Sequence, residues 1–293
     1  MTNPWATLPG PNPPMLSESQ RRALVSLLAD EDEAIHDMVR ERLLAYGPVV
    51  QGWLQEAVRA DDPRLRRRAL AIVREVGRRE ADRAFLDFCM RQGEDLDLEA
   101  GAWMLAQTRY PDIRVEAYQA ILDGYACDLA ERLQGRLDRR IVLPEVQHYL
   151  FEMLRYAGNE EDFYDQENSY LNRVIDRRVG NPISLCTVYL LLARRLRLPV
   201  VGIAMPGRFL CRYQTSTGEI YIDVFQKGRL LTKADCIRFL LQSGHGYLEG
   251  FLAPATPRRT LLRMCHNLHE IYQGRGLTAE TQRFQRYIVA LAR

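Results

Sequence analysis

Cys265, His266 and His269 have side chains that bind zinc, set at C-H-x-x-H spacing. Cys265 and His269 are four residues apart, which places both on one face of a helix. Zinc sites take four ligands, and no further pair stands at a typical distance along the chain. Ordinary helix residues are therefore expected there, with no metal site and no cofactor. The cysteines are Cys89, Cys127, Cys186, Cys211, Cys236 and Cys265, with no C-x-x-C pair among them. That spread predicts free thiols in a reducing cytoplasm rather than a disulfide framework. Thiol chemistry also needs a base. Of His36, His148, His245, His266 and His269, only His245 lies in a loop soon after a run of strands, between Gly244 and Gly246. Arginine clusters such as Arg66-Arg67-Arg68 could hold an anion, but are read as solvated faces.

Forty Lys plus Arg against 38 Asp plus Glu leave a formal charge of +2. Nucleic-acid-binding domains usually show a strong basic excess, so no nucleic-acid partner is expected. Only two of the basic residues, Lys227 and Lys233, are lysines. A composition that is 47% apolar and 27% charged is that of a soluble globular protein. No apolar run reaches the roughly 18 residues that span a bilayer, so no membrane partner is expected. Residues 1–15 lack the basic and apolar regions of a secretory signal and read as a disordered, proline-rich tail.

Residues 16–95 carry a repeat. Glu31-Asp32 is matched by Asp61-Asp62, and Ile35, Val39, Leu43 and Gly47 by Leu65, Ala69, Val73 and Gly77. Apolar residues four apart form one helix face. Acidic residues suit helix starts, and glycine suits helix ends. Ser17 with Gln20 predicts a capping box. Stacked helix pairs of this kind resemble HEAT-type repeats, offering either a concave protein-binding surface or a helical cover for a neighbouring domain.

Residues 96–255 begin as helices. One stripe runs through Leu98, Ala102 and Leu105, a second through Val115, Tyr118 and Leu122, with a break at Pro111-Asp112. A third helix is predicted to start at Leu143-Pro144-Glu145. Asn181 before Pro182 predicts a capped helix start. From Pro182 to about Leu196 the residues are apolar nearly all round, as in a helix buried on every side. Short strands are predicted at 200–205, 208–213 and 220–225, joined closely enough to pair antiparallel. Residues 256–293 read as a helical hairpin split at Gly274-Arg275-Gly276. The fold class expected is α+β, predominantly helical: an N-terminal α-solenoid, then a buried central helix against a small antiparallel sheet.

Residues 163–213, with Asp223 and its neighbours, carry a family pattern. It comprises Tyr164-Asp165, Asn168 to Asn172 (NSYLN), Asn181 to Leu185 (NPISL), Met205 to Arg212 (MPGRFLCR), and Ile222-Asp223-Val224-Phe225. The flanks DLDLEAGAWMLAQTRYPD and RTLLRMCHNLHEIY fit as well. Over about residues 95–275 the chain resembles the SirB-type transglutaminase-like proteins of bacteria.

That resemblance implies a transglutaminase/papain-like core. Such cores place a nucleophilic Cys at the start of a buried helix, a His on a strand as base, and an Asp on the next strand to orient it. Carried onto this chain, the nucleophile position is Pro182, the base position Arg208 and the orienting position Asp223. Proline has no reactive side chain, and arginine stays protonated. The expectation is a non-catalytic protein-interaction module with an unidentified protein partner and an undefined oligomeric state. Arg208 and Asp223 are predicted to form an ion pair in the relict cleft. The alternative is a thiol hydrolase or acyltransferase using Cys186, one turn beyond Pro182, with His245 as base. Ser184 is read as a first-turn hydroxyl. Cys211 is expected to face away from Arg208.

Overall fold

The computed structural model describes residues 16–91, 93–136, 138–215 and 218–293. The tail expected at 1–15 lies outside the described residues. The chain is predominantly helical and divides into two compact units, Met1–Arg83 with Gln107–Asp112, and Ala84–Ala106 with Ile113–Arg293.

In the first unit, α1 (Glu18–Ser26) starts on the expected capping box: Ser17 Oγ accepts from the Gln20 N–H at 3.2 Å, and Gln20 Oε1 accepts from the Ser17 N–H at 2.9 Å. The acidic pairs also act as caps. Asp32 starts α2 (Glu33–Ala45) by accepting from the Ala34 N–H at 2.9 Å. After the short α3 (Val50–Trp53), Asp62 accepts from the Arg64 N–H at 2.8 Å as α4 (Pro63–Arg91) begins. Gly47 ends α2 with φ +65°, a backbone that favours glycine. Gly77 does not end α4, which runs on through it for 29 residues in all. A Cβ at position 77 would lie 3.0 Å from that of Pro111, so this glycine admits a close neighbour rather than a turn. Arg68 also departs from a solvated face: it donates to the carbonyls of Leu28 and Asp30 (3.0 and 2.6 Å) and to Glu33 (2.8 Å). Leu28, Val39, Leu43, Leu54 and Ile72 form the core beneath it.

The second unit adds α5 (Leu98–Gln107), α6 (Val115–Leu133) and α7 (Arg139–Gln147). The start expected at Leu143 is corrected. Asp138 caps α7 earlier, accepting from the Arg140 N–H at 2.9 Å, and Pro144 sits inside the helix. The chain then widens into a π-turn over His148–Met153. There follow β1 (Ala157–Gly158), α8 (Leu171–Arg177), β2 (Val179–Gly180) and α9 (Pro182–Arg195). Next come β3 (Val200–Ile203), β4 (Leu210–Thr215), β5 (Gly218–Asp223) and β6 (Arg229–Leu231). Then α10 (Lys233–Gln242), α11 (Pro257–Gly274) and α12 (Thr278–Leu291) complete the unit.

β1 pairs with β2 in parallel, and β3-β4-β5-β6 form an antiparallel sheet in chain order. β6 has no counterpart in the sequence reading, because its Leu230 and Leu231 are too short a run to signal a strand. It forms because Gly228, at φ +76°, turns the chain back onto β5. As expected, α9 is buried nearly all round, from Ile183 to Ala193 with only Leu190 partly open.

The flanks of the family pattern hold α9 and its neighbours. At the C-terminal end of α9, Arg195 grips Glu99 with both terminal nitrogens (2.8 and 2.9 Å) and Asp123 through Nε (2.6 Å). Arg194 reaches Asp97 at 3.2 Å. Tyr170 and Tyr272 share a buried hydrogen bond of 2.7 Å. Arg258, on α11 and 7% exposed, donates to the carbonyls of Ala290, Leu291 and Cys89 at 2.7, 2.8 and 3.1 Å.

Candidate functional site

The site is built on the start of α9. Asn181 caps the helix by accepting from the Ser184 N–H at 3.0 Å, and Ser184 Oγ accepts from the Asn181 N–H at 3.0 Å. The Ser184 hydroxyl donates to the Asn168 carbonyl at 2.6 Å, and Asn181 Nδ2 donates to Ser169 Oγ at 2.8 Å. All four residues are buried. The NSYLN and NPISL motifs thus form one polar network that fixes where the helix begins. Ser184 is consumed by that cap and offers no nucleophile. Pro182, the first residue of the helix, offers none either.

The sheet brings the other two positions together. Cys211 pairs with Ile222, so the end of β5 lies beside the start of β4. Arg208 sits in the turn before β4 rather than within a strand, and still comes alongside Asp223. The expected ion pair is present, Arg208 Nη1 to Asp223 Oδ2 at 3.0 Å. The guanidinium also stacks on Phe239, 4.1 Å from the ring centroid. Asp223 is nearly closed to solvent (side chain 6% exposed), whereas Arg208 keeps an open edge at 38%. Burial raises the Asp223 pKa above the ordinary carboxylate range. The positive charge of Arg208 opposes that rise without cancelling it.

The alternative pair is not brought together. Cys186 is fully buried, and its thiol donates to the Phe209 carbonyl at 3.5 Å. Burial pushes its pKa well above the ordinary thiol range, and the neighbouring Cys211 pushes it further. Cys211 faces α9, with Sγ 3.8 Å from the Cys186 carbonyl, and so points away from Arg208, which stacks on Phe239 of α10, as expected. His245 is exposed beside Gly207, 3.5 Å from where a Cβ would stand, and among the described residues it makes no hydrogen bond to Cys186. Cys265 is buried while His266 is exposed, so the C-H-x-x-H residues do not converge. Glu33, His36 and Asp37 place donor atoms within 4.8 Å of one another, but both carboxylates are exposed and Glu33 is held by Arg68.

Two contributions escaped the sequence reading. Phe239, which steadies Arg208, comes from α10 and carries no motif. Asn168 and Asn181 stood inside the quoted motifs, yet their joint network needs the two segments to meet.

A buried helix capped beside an antiparallel sheet, with an Asp at a strand end, is the arrangement of transglutaminase-like folds. The model of the transglutaminase-like superfamily matches residues 116–266. The chain belongs to this superfamily. It is 34% identical over 203 residues to a UPF0162 protein of Xylella fastidiosa, covering 66% of this chain and 69% of that one. A UPF0162 protein of Pseudomonas aeruginosa is 32% identical over 195 residues, 64% of this chain and 69% of that one. F-box only protein 21 of Homo sapiens is 33% identical over 149 residues, 48% of this chain and 23% of that protein. No solved structure matches the chain. Among the described residues, no helix is long and apolar enough to cross a membrane.

Proposed function

We propose that this chain is a non-catalytic transglutaminase-like protein of the SirB type, acting as a protein-interaction module in the cytoplasm. The Arg208–Asp223 pair carries the reading. Where the fold's chemistry takes a base, this chain has a cation that stays protonated, bonded to the carboxylate that would have oriented the base. Pro182 leaves the helix start without a nucleophile. In this reading residues 16–95 are a HEAT-like extension, 96–255 the transglutaminase-like domain and 256–293 its C-terminal hairpin. The F-box relative supports a modular use, since the matching stretch is 23% of that protein.

The competing thiol-enzyme reading requires a reactive Cys186. Thiolate is the reactive form, and a buried thiol with a raised pKa supplies almost none. At pH 7, iodoacetamide is expected to modify the exposed Cys127 and to leave Cys186 unlabelled in the folded chain. Labelling of Cys186 faster than free cysteine, and dependent on His245, would establish the enzyme instead. Affinity capture with the tagged full chain from its source cells is expected to recover a stoichiometric protein partner. Recovery of none would count against the module.

A further inference from the structure

Near the start of α9, the second unit exposes an aromatic ledge. Phe163 and Tyr164 are 42% and 67% exposed. Their rings meet edge to face at 5.3 Å, and Phe163 lies 5.9 Å from the half-buried Phe225. Rings of this size normally contribute to a core, and fixed exposed aromatics mark binding surfaces.

The main chain that carries these rings is held in place. The buried Asn168 donates to the carbonyls of Asp162 and Phe163 at 2.8 and 3.3 Å. Asn159 Oδ1 accepts from the Asp162 N–H at 3.0 Å, and Arg275 donates to the Tyr164 carbonyl at 3.2 Å. Phe225 lies over Gly158 so closely that a Cβ there would be 2.6 Å from its ring. One buried asparagine and an arginine from a distant helix therefore hold a segment whose side chains face water. A surface prepared in this way loses little entropy on binding.

The ledge is also charged. Glu160, Glu161 and Asp162 are exposed, and no Lys or Arg occurs between Tyr156 and Arg173. Asp165 is answered by Arg177 at 2.7 Å and Glu167 by Arg173, so three exposed acids, Glu160, Glu161 and Asp162, stand against one exposed cation, Arg275, and the ledge is net negative. Glu160 is itself oriented by Gln226 Nε2 at 2.9 Å.

We propose that this ledge docks an extended cationic segment of a partner protein, in which Arg or Lys alternates with apolar residues. A cation gains twice here, from the negative ring face of Tyr164 and from the exposed Glu161 and Asp162, three and two residues before it in the chain. The alternate apolar side chains lie against Phe163 and Phe225. An acidic segment gains neither contact and meets repulsion. The inference rests on the interaction-module reading and names the chemistry of the partner.

The test uses the full chain and a fluorescein-labelled peptide of alternating Arg and Leu, followed by fluorescence anisotropy. Saturable binding is expected, weaker at high salt, and absent for the counterpart with Glu in place of Arg. Phe163→Ala/Tyr164→Ala and Glu161→Lys/Asp162→Lys should each weaken it at least tenfold. The substituted side chains are exposed, so circular dichroism should show both variants folded. No binding up to about 1 mM peptide overturns the proposal. So does binding that survives the aromatic substitutions, because charge alone would then suffice. If the Phe163→Ala/Tyr164→Ala variant still captures the wild-type chain's partner from cells, the ledge is refuted and the module stands.

Discussion

Arg258→Met is expected to melt the second unit about 10 °C below the wild-type chain, a loss of about 3–5 kcal/mol. The guanidinium is 7% exposed and satisfies three main-chain carbonyls, two at the end of α12 and one at Cys89 near the end of α4. Helix C-termini carry partial negative charge, so a cation at this place is favoured by the dipoles as well as by the hydrogen bonds. Methionine keeps much of the volume but leaves the carbonyls without this donor, at about 1–3 kcal/mol for a buried group. Arg258→Lys should recover less than half of the loss, since an ammonium cannot span three acceptors as a planar fork does. Thermal unfolding by circular dichroism measures both variants. A shift under about 2 °C for Arg258→Met would show that the clasp is not a structural requirement.

Arg208→Met is expected to give a deficit that depends on pH. Asp223 already has a raised pKa from burial, with Arg208 the largest opposing influence and Arg229 a smaller one. With Arg208 gone, the folded-state pKa climbs further. The folded chain then binds a proton more tightly than the unfolded chain, so stability falls as pH rises from the ordinary carboxylate value through the folded one. At pH 7 the variant should be less stable by about 1–3 kcal/mol, below the cost of breaking a fully buried pair because Arg208 keeps an open edge. Toward pH 4 the protonated carboxyl needs no counter-charge, and the deficit should shrink to the loss of packing on Phe239. Urea denaturation at pH 4.5, 5.5 and 7 reads the difference. A deficit that stays constant across this range would mean that the pair does not set the protonation of Asp223.

The central helix was legible in the sequence because its signals are local: Asn181 caps, Pro182 starts, and an unbroken apolar surface reports burial. The neighbouring positions of Arg208 and Asp223 were legible through the family resemblance, which sets the base and its orienting carboxylate at these two places. Gly77 misled because glycine serves two purposes, ending helices and admitting close neighbours, and only the approach of Pro111 decides between them. Pro144 misled for a similar reason. It marks helix starts, but the Asp138 cap had already begun the helix, whose second turn accommodates the proline. The support that Asn168 gives to the Phe163–Tyr164 segment lay within a quoted motif, yet nothing in the letters says that a buried side chain would hold exposed ones. The Arg258 clasp had no signal, since its acceptors are main-chain carbonyls, one of them 169 residues away in sequence.

That separation bears on the order of events during synthesis. All residues of the first unit are present once Asp112 has been made. The second cannot complete its clasp until Leu291 has left the ribosome. At about 5–20 residues per second, the Cys89 carbonyl waits on the order of 10–40 s for its partner. For about two-fifths of that interval, from the completion of α9 at Arg195 to that of α11 at Gly274, the largely apolar α9 exists without α11 to cover it. The nascent second unit therefore presents an uncovered apolar helix for about 4–16 s before α11 can close over it.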